Sequence, residues 1–418
     1  MRQKDIVNKI IDYIPTINYF QTQSDVSLFE TTIRYLGGMI SGYDFLNGPL
    51  ADLADKKENV DALLKQSINL ANALSYAFET PTGIPYNTLT FNNRGNDGGA
   101  NGLATVGTLI LEWTRLADLT GNKTYAALVE KAESYLTHPS PATSEPWPGL
   151  VGTDINVTTG QFLDARGGWV GGADSFYEYL IKMFVYDPQR YSFLKDRWVL
   201  AADSTIAHLT SHPSSRPDLT FVAAYNGQTP NLVSQHLAGF TGGNFILAGQ
   251  VLGRQDYIDY GLKVTSAFHE TYTQTAAHIG PEIFGWDPKK VPADQVAFYN
   301  KTGFYLQSSV YVLRPEVIES YYYAYRATGD TKYQDWAWDA FVAINATTRV
   351  GSGYSSISNV NAVDGGSFTD FQESFWFAEV LKYSYLIFAP DEEWDVSKDG
   401  KNKWVFNTEA HPVKCSGA

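Results

Sequence analysis

The sequence predicts an all-α toroid, pairs of antiparallel helices closed into a ring, and three features point there. Apolar residues recur at helical spacing along most of the chain. The corners between these runs repeat one pattern, and no Pro-rich, Ser-rich or charge-block stretch marks an interdomain linker. Residues 1–418 therefore read as a single domain. At this length ring closure covers the inner helix faces, whereas an open solenoid leaves ends that need caps.

In chain order the amphipathic runs span 27–46, 58–78, 101–119, 123–136, 174–186, 197–211, 241–252, 255–274, 315–327, 331–345 and 370–388. Ser27 with Glu30, and Ser175 with Glu178, fit the capping box, in which the acid satisfies an orphan backbone N–H at a helix start. Pro315 falls in a first turn, where its missing N–H costs nothing. Gly121, Gly253 and Gly329 each stand four residues before a tyrosine, namely Tyr125, Tyr257 and Tyr333. Each glycine is expected to close one helix in the left-handed conformation while the tyrosine packs into the next, an αα-hairpin used repeatedly. His208 and His212 run into Pro213 and mark a helix end. β signal is confined to short insertions: residues 152–162 read as a hairpin turning at Thr158-Thr159-Gly160, and 219–225 as one more strand.

Composition excludes several function classes. With 31 basic against 45 acidic residues the net charge is −14, so nucleic acid and anionic membrane are poor partners. No stretch approaches the roughly 18 apolar residues of a spanning helix. One cysteine, Cys415, excludes an internal disulfide and a thiolate metal site. Aromatics at 14% suit a protein that stacks on flat ligands, although core packing uses the same residues. The sequons at Asn122, Asn156, Asn300 and Asn345 lean toward a glycoprotein of the secretory pathway, while the residues from Met1 to Asp5 are no signal peptide.

The candidate chemistry lies in acids at helix starts. Inner helices of a toroid run parallel, so Glu30, Asp174 and Glu316 are expected to converge at one rim, where helix N-termini favour carboxylates. Glycoside hydrolysis needs such a set: one carboxyl to protonate the leaving oxygen and one carboxylate to activate water. The same cage suits a hard cation such as calcium. Helical spacing puts Glu316 with Glu319, Asp174 with Glu178, and Phe375 with Glu379 on common faces. Phe375 then floors a sugar ring or packs in the core, and Glu30 with Arg34 reads as an ion pair.

The segments Leu28-Phe-Glu-Thr-Thr-Ile-Arg-Tyr-Leu-Gly-Gly38, Asp174-Ser-Phe-Tyr-Glu-Tyr-Leu180, Leu313-Arg-Pro-Glu-Val-Ile-Glu-Ser320, Glu373-Ser-Phe375 and Phe406-Asn-Thr-Glu-Ala-His-Pro412 resemble the motifs of the class I α-1,2-mannosidases, glycoside hydrolase family 47. The likeness runs in order along nearly all of the chain and is greatest to fungal secreted and Golgi-type members. It implies an (α/α)7 barrel with one Ca2+ ion at its base. It also implies inverting removal of terminal α-1,2-linked mannose from high-mannose N-glycans, by a monomer in the ER or Golgi lumen or outside the cell.

Carried onto this sequence, the resemblance makes Glu30 the acid acting through water, Asp174 the other candidate acid and Glu316 the base. Thr408 is the implied calcium ligand through its carbonyl and hydroxyl, with Glu319, Glu379 and Glu409 supporting through water. Arg34, Arg314 and Phe375 are implied to contact sugar or orient the acid, and His236 to line the cleft. Gly172 stands where strict endoplasmic-reticulum enzymes carry arginine, which predicts a wider cleft and removal of several mannoses.

Two departures carry expectations of their own. Fungal members pair cysteines near the positions that Gly239 and Thr348 hold here. The family domain also begins some tens of residues earlier, so the first helix or helix pair is expected to be missing, leaving one side of the ring and an apolar face open, with low activity and stability. A mannose-binding, non-hydrolysing member of the same fold is the alternative reading. A glucoamylase-like toroid hydrolase does not account for the Thr408 motif.

Overall fold

The computed structural model describes residues 2–417. The chain opens with α1 (Lys4–Tyr13) and then alternates inner and outer helices. Inner helices α2 (Leu28–Thr31) and α3 (Gly37–Leu46), joined by a π turn at Thr32–Leu36, pair with outer α4 (Lys57–Leu74). The next pairs set α5 (Leu103–Gly107) and α6 (Ile110–Thr120) against α7 (Thr124–Thr137), and α8 (Asp174–Tyr186) against α9 (Ser192–Ser204). They are followed by α10 (Phe240–Leu252) with α11 (Gln255–Thr273). A short α12 (Val296–Thr302) precedes α13 (Glu316–Thr328), whose outer partner is α14 (Lys332–Thr348). A π turn at Trp376–Val380 leads into α15 (Leu381–Leu386). Around the ring α3 touches α6, α6 touches α8, α8 touches α10, α10 touches α13 and α13 touches α15.

Sequence decides which helices are inside. In α10, which carries no charged residue, every residue from Phe240 to Gly249 is buried, and α8 is buried almost throughout, with Glu178 and Lys182 paired to each other. In α14 burial is confined to Tyr333, Ala337, Ala340, Ile344, Thr347 and Thr348, one stripe at helical spacing. The main core runs through the whole ring and includes the fully buried Trp113, Trp169, Trp198, Trp286 and Trp376. A small second cluster of Ile11, Leu46, Leu53, Val60 and Leu63 lies under α1, which leaves Ile6, Ile10 and Tyr13 exposed. No helix among the described residues is long and apolar enough to cross a membrane.

The predicted corners are present: Gly121, Gly253 and Gly329 sit at φ +70°, +66° and +71° as helix C-caps. The tyrosine four residues after each of them is buried. Other expectations need correction. Residues 370–374 are not helical. Ser355 Oγ accepts the N–H groups of Thr369 and Asp370, Gln372 accepts the N–H of Tyr354, and Asp370 lies at φ +55°, so this segment bonds to the preceding loop. The helix expected at 197–211 starts at Ser192, because Leu194 extends the buried stripe of Trp198 and Ala201, and it gives way at Thr210–Ser211 to a strand paired with Phe221–Val222.

Residues 101–102 belong to a strand whose partner is Asp154–Asn156, while the expected 152–162 hairpin is present, closed by the Ile155–Phe162 bridge and by the Gly160 N–H to Asn156 carbonyl bond of 2.8 Å at its turn. Ser175 lies inside α8 and does not cap it; the N-cap is Ala173, and Glu178 pairs with Lys182.

Two of the small sheets bear on the site. Val233–Gln235, Ile283–Gly285 and Tyr305–Ser308 form an antiparallel sheet with Ser234 opposite Phe284 and Phe284 opposite Leu306. Trp404–Phe406 and Pro412–Lys414 form a hairpin, Val405 opposite Val413, that packs on α3 and α8 and carries its tip into the ring.

Candidate active site

The first turns of the inner helices surround a cavity of about 250 Å³. Its wall gathers Glu30, Arg34, Gly172, Asp174, Arg314, Glu316, Glu319, Phe375, Glu379, Thr408 and Glu409. The acids and ligands named from the sequence thus meet in one place. His236 does not line the cavity; it is buried directly behind Glu316.

Local sequence explains each position. Ser27 Oγ accepts the Glu30 N–H at 3.2 Å, which is half of the expected capping box. The Glu30 carboxylate turns to Arg34 instead, whose Nε lies 2.7 Å from Oε2. Arg34 also reaches Glu409 Oε1 at 2.8 Å and Ser374 Oγ at 2.9 Å, and its guanidinium lies 5.4 Å from the Phe375 ring centroid. One arginine therefore ties α2, the α15 segment and the C-terminal hairpin together.

Asp174 opens α8 and is buried, with Oδ1 accepting the Ser175 N–H at 2.8 Å. Burial pushes its carboxyl up to about 7, and the negative charges of Glu178 and Glu316 add to that against the Ser175 hydrogen bond. Glu316 opens α13. Its Oε2 is 3.2 Å from His236 Nδ1, and His236 Nε2 is 2.7 Å from the Tyr272 hydroxyl. The Glu316 carboxylate accepts, which places the imidazole proton on Nδ1, and in the neutral ring Nε2 then accepts from the Tyr272 hydroxyl, which burial holds well above its ordinary value.

The floor is the tip of the C-terminal hairpin. Asn407 Nδ2 donates to the Ile33 carbonyl at 3.0 Å and to Glu112 Oε1 at 2.8 Å, while its Oδ1 accepts the N–H groups of Glu409 and His411 at 2.9 and 2.8 Å. The Thr408 N–H donates to the Tyr179 hydroxyl at 3.1 Å, and Tyr179 donates to Glu112 Oε1 at 2.7 Å. Burial pushes Glu112 up to about 7. Sequence reasoning misses Asn407, Glu112 and Tyr179. The one available signal is an acid inside the apolar run around Glu112.

The floor's chemistry suits a cation. Burial first pushes Glu319 up to about 8, Glu409 to about 7 and Glu379 well above its ordinary value; neighbouring acids add to it, Glu178 and Glu316 at Glu319, Glu30 and Glu316 at Glu409, and Glu409, Glu319 and Glu316 at Glu379. Glu409 Oε2 is buried without a hydrogen-bond partner. Among the described residues no three His, Cys, Asp or Glu side chains stand close enough to hold a metal ion directly. The buried carboxylates around the floor therefore suit a cation whose charge they meet from a distance, through water, rather than as direct ligands.

Two further residues qualify the expectations. Gly172 lies at φ +94°, and a Cβ there would stand 3.2 Å from Thr153 Cγ2, so the backbone as well as the missing side chain distinguishes this position. Glu282, just before the central strand of the three-stranded sheet, binds Arg314 through two hydrogen bonds of 2.7 and 2.6 Å. Its sequence surroundings give no sign of that role.

Comparison with known proteins agrees with this geometry. The profile of glycosyl hydrolase family 47 matches residues 1–415. The chain is 59% identical to the probable mannosyl-oligosaccharide α-1,2-mannosidase 1B of Aspergillus clavatus, covering 99% of this chain and 82% of that protein. It is 58% identical to the mannosyl-oligosaccharide α-1,2-mannosidase of Penicillium citrinum, covering 99% and 81%. The solved α-1,2-mannosidase from Trichoderma reesei superposes with a TM-score of 0.97 at 52% identity, covering 99% of this chain and 87% of that one. A D-mannose isomerase at 11% identity and a TM-score of 0.60 shares the fold alone.

Proposed function

The chain belongs to glycosyl hydrolase family 47, and from that membership we propose an inverting exo-α-1,2-mannosidase that trims high-mannose N-glycans in the secretory pathway, with calcium bound at its floor. The observation that carries this reading is the convergence of Glu30, Asp174 and Glu316, from distant parts of the chain, on one cavity floored by Thr408.

Each residue has a part in the reaction. Asp174, still protonated near neutral pH, delivers its proton to the glycosidic oxygen as the C1–O bond breaks. Glu316 takes a proton from the water that attacks C1 from the opposite face, which inverts the anomeric configuration. His236 donates to Oε2 of Glu316 and leaves the other oxygen toward the cavity. Glu30, ion-paired to Arg34, holds solvent between the acid and the leaving group, and Phe375 supplies an apolar surface for the sugar ring. Thr408 would hold calcium through its carbonyl and hydroxyl, with Glu319, Glu379 and Glu409 acting through water, and a bound ion supplies positive charge for vicinal sugar hydroxyls.

The test is incubation with a high-mannose N-glycan, with and without a chelator, following released mannose and its anomer by NMR. Initial release of β-mannose, abolished by chelation and restored by calcium, is the expected result. Release of the α-anomer, or tight glycan binding without release, overturns the reading. Chelation is also expected to lower Tm by several degrees, because the floor carboxylates then repel one another without a cation.

A further inference from the structure

We propose that Glu282 is a positioning residue for the reaction, clamping Arg314 so that its guanidinium stands at ion-pair distance from Glu316 without hydrogen-bonding to it. The inference rests on the reading of Glu316 as the base. Glu282 itself is absent from the cavity wall and acts through its neighbours.

The clamp is a two-point pair. Arg314 Nε donates to Glu282 Oε2 at 2.7 Å and Nη2 donates to Oε1 at 2.6 Å, with both side chains only 19% exposed. This planar match fixes the guanidinium's position and its rotation. Nη1 remains on the cavity side, 3.9 Å from Glu316 Oε1. The backbone reinforces the aim. Leu313, fully buried, holds φ +61°, a conformation costly for a branched side chain, and the Tyr311 hydroxyl donates to the Arg314 carbonyl at 3.1 Å. The same Glu282 accepts the His236 N–H on its own carbonyl at 2.9 Å. One residue therefore sets both groups that bracket Glu316: His236 at Oε2 through the backbone, and Arg314 at Oε1 through the side chain.

Charge explains why the clamp matters. Glu282 neutralises Arg314. Without it the guanidinium faces Glu316 and, beyond it, Asp174 as the acids that attract it most. The side chain then closes the 3.9 Å gap and occupies the oxygen that must take a proton from water. A displacement of about 1 Å at a reacting group costs about 100-fold in rate.

The test compares wild type with E282Q, E282D, R314A and E282Q/R314A in kcat and KM for mannose release, with Tm measured on each. E282Q is expected to lose about 100-fold in kcat with KM changed less than about threefold, E282D to recover most of that loss, and E282Q to cost nothing further in the R314A background. In protein labelled with 15N-arginine, the Arg314 Nε–H resonance is expected to be visible in slow exchange and to vanish in E282Q. Wild-type kcat in E282Q, a loss that adds in full to that of R314A, or a Tm loss that accounts for the activity loss would overturn the proposal. An exchange-broadened Nε–H in wild type overturns the clamp independently of catalysis, whereas a protected signal in a protein that releases no mannose overturns the hydrolase reading instead.

Discussion

Asp174 and Glu30 occupy the same cavity wall in different electrostatic settings. Asp174 is buried among other acids, which keeps a proton on it near neutral pH, while Glu30 is bonded to a guanidinium. Asp174→Asn is therefore expected to lower kcat by about 10²–10⁴-fold while glycan binding persists, as measured by mannose release and calorimetry. Gly172 makes a second residue-scale case. Because it holds φ +94°, Gly172→Arg introduces strain as well as a cation. Gly172→Ala carries the strain without the charge. Both variants are expected to melt earlier than wild type, but only the arginine is expected to restrict the products to fewer mannoses removed. Identical product patterns in the two would remove charge as the cause.

At the scale of elements, the C-terminal hairpin depends on one buried amide. Asn407→Ala leaves the Ile33 carbonyl, Glu112 and two N–H groups without their partner, a loss on the order of 3 kcal/mol. The variant is expected to melt earlier and to need more calcium for full activity. A Cβ on Gly37 would stand 2.6 Å from the same Nδ2, so Gly37→Ala should produce a similar loss from the other side. This network also marks where the sequence stops being legible. The helix-opening acids can be read because periodicity and helix starts are local properties. The corner glycines are legible for the same reason, since a left-handed C-cap is written in a few adjacent residues. Asn407 bonds locally to Glu409 and His411, but its bonds to Ile33 and Glu112, like those of Glu282 to Arg314, reach far along the chain, and nothing in the immediate neighbours encodes those. Residues 370–374 carry a helical pattern yet stay irregular, because their backbone bonds go to a loop that local pattern cannot foresee.

For the molecule as a whole, many acids are buried and few are compensated. Burial raises Asp174, Glu112 and Glu409 to about 7 and Glu133 and Glu319 to about 8, with Glu379 also well above its ordinary value. A raised carboxyl binds protons in the folded state that the unfolded chain has already released. Its contribution is therefore full below the unfolded value, about 4 to 4.5, and is lost as pH climbs toward the folded one. Tm is expected to fall from about pH 5 to about pH 8, more steeply in chelator than in calcium, because a cation at the floor offsets only the acids near it. Glu133, raised by burial alone, tests this cleanly. Glu133→Gln should flatten the slope and melt higher than wild type at about pH 8; an unchanged slope would remove burial of this acid as a contributor.

The Asn407 bond to the Ile33 carbonyl joins residues 374 positions apart. Contacts of such sequence separation form late, since most of the chain must be ordered before its ends can meet. Helical hairpins assemble from neighbours and recover early. On dilution from denaturant, far-UV ellipticity should return well before catalytic turnover, and the interval between the two measures the time the ring takes to shut.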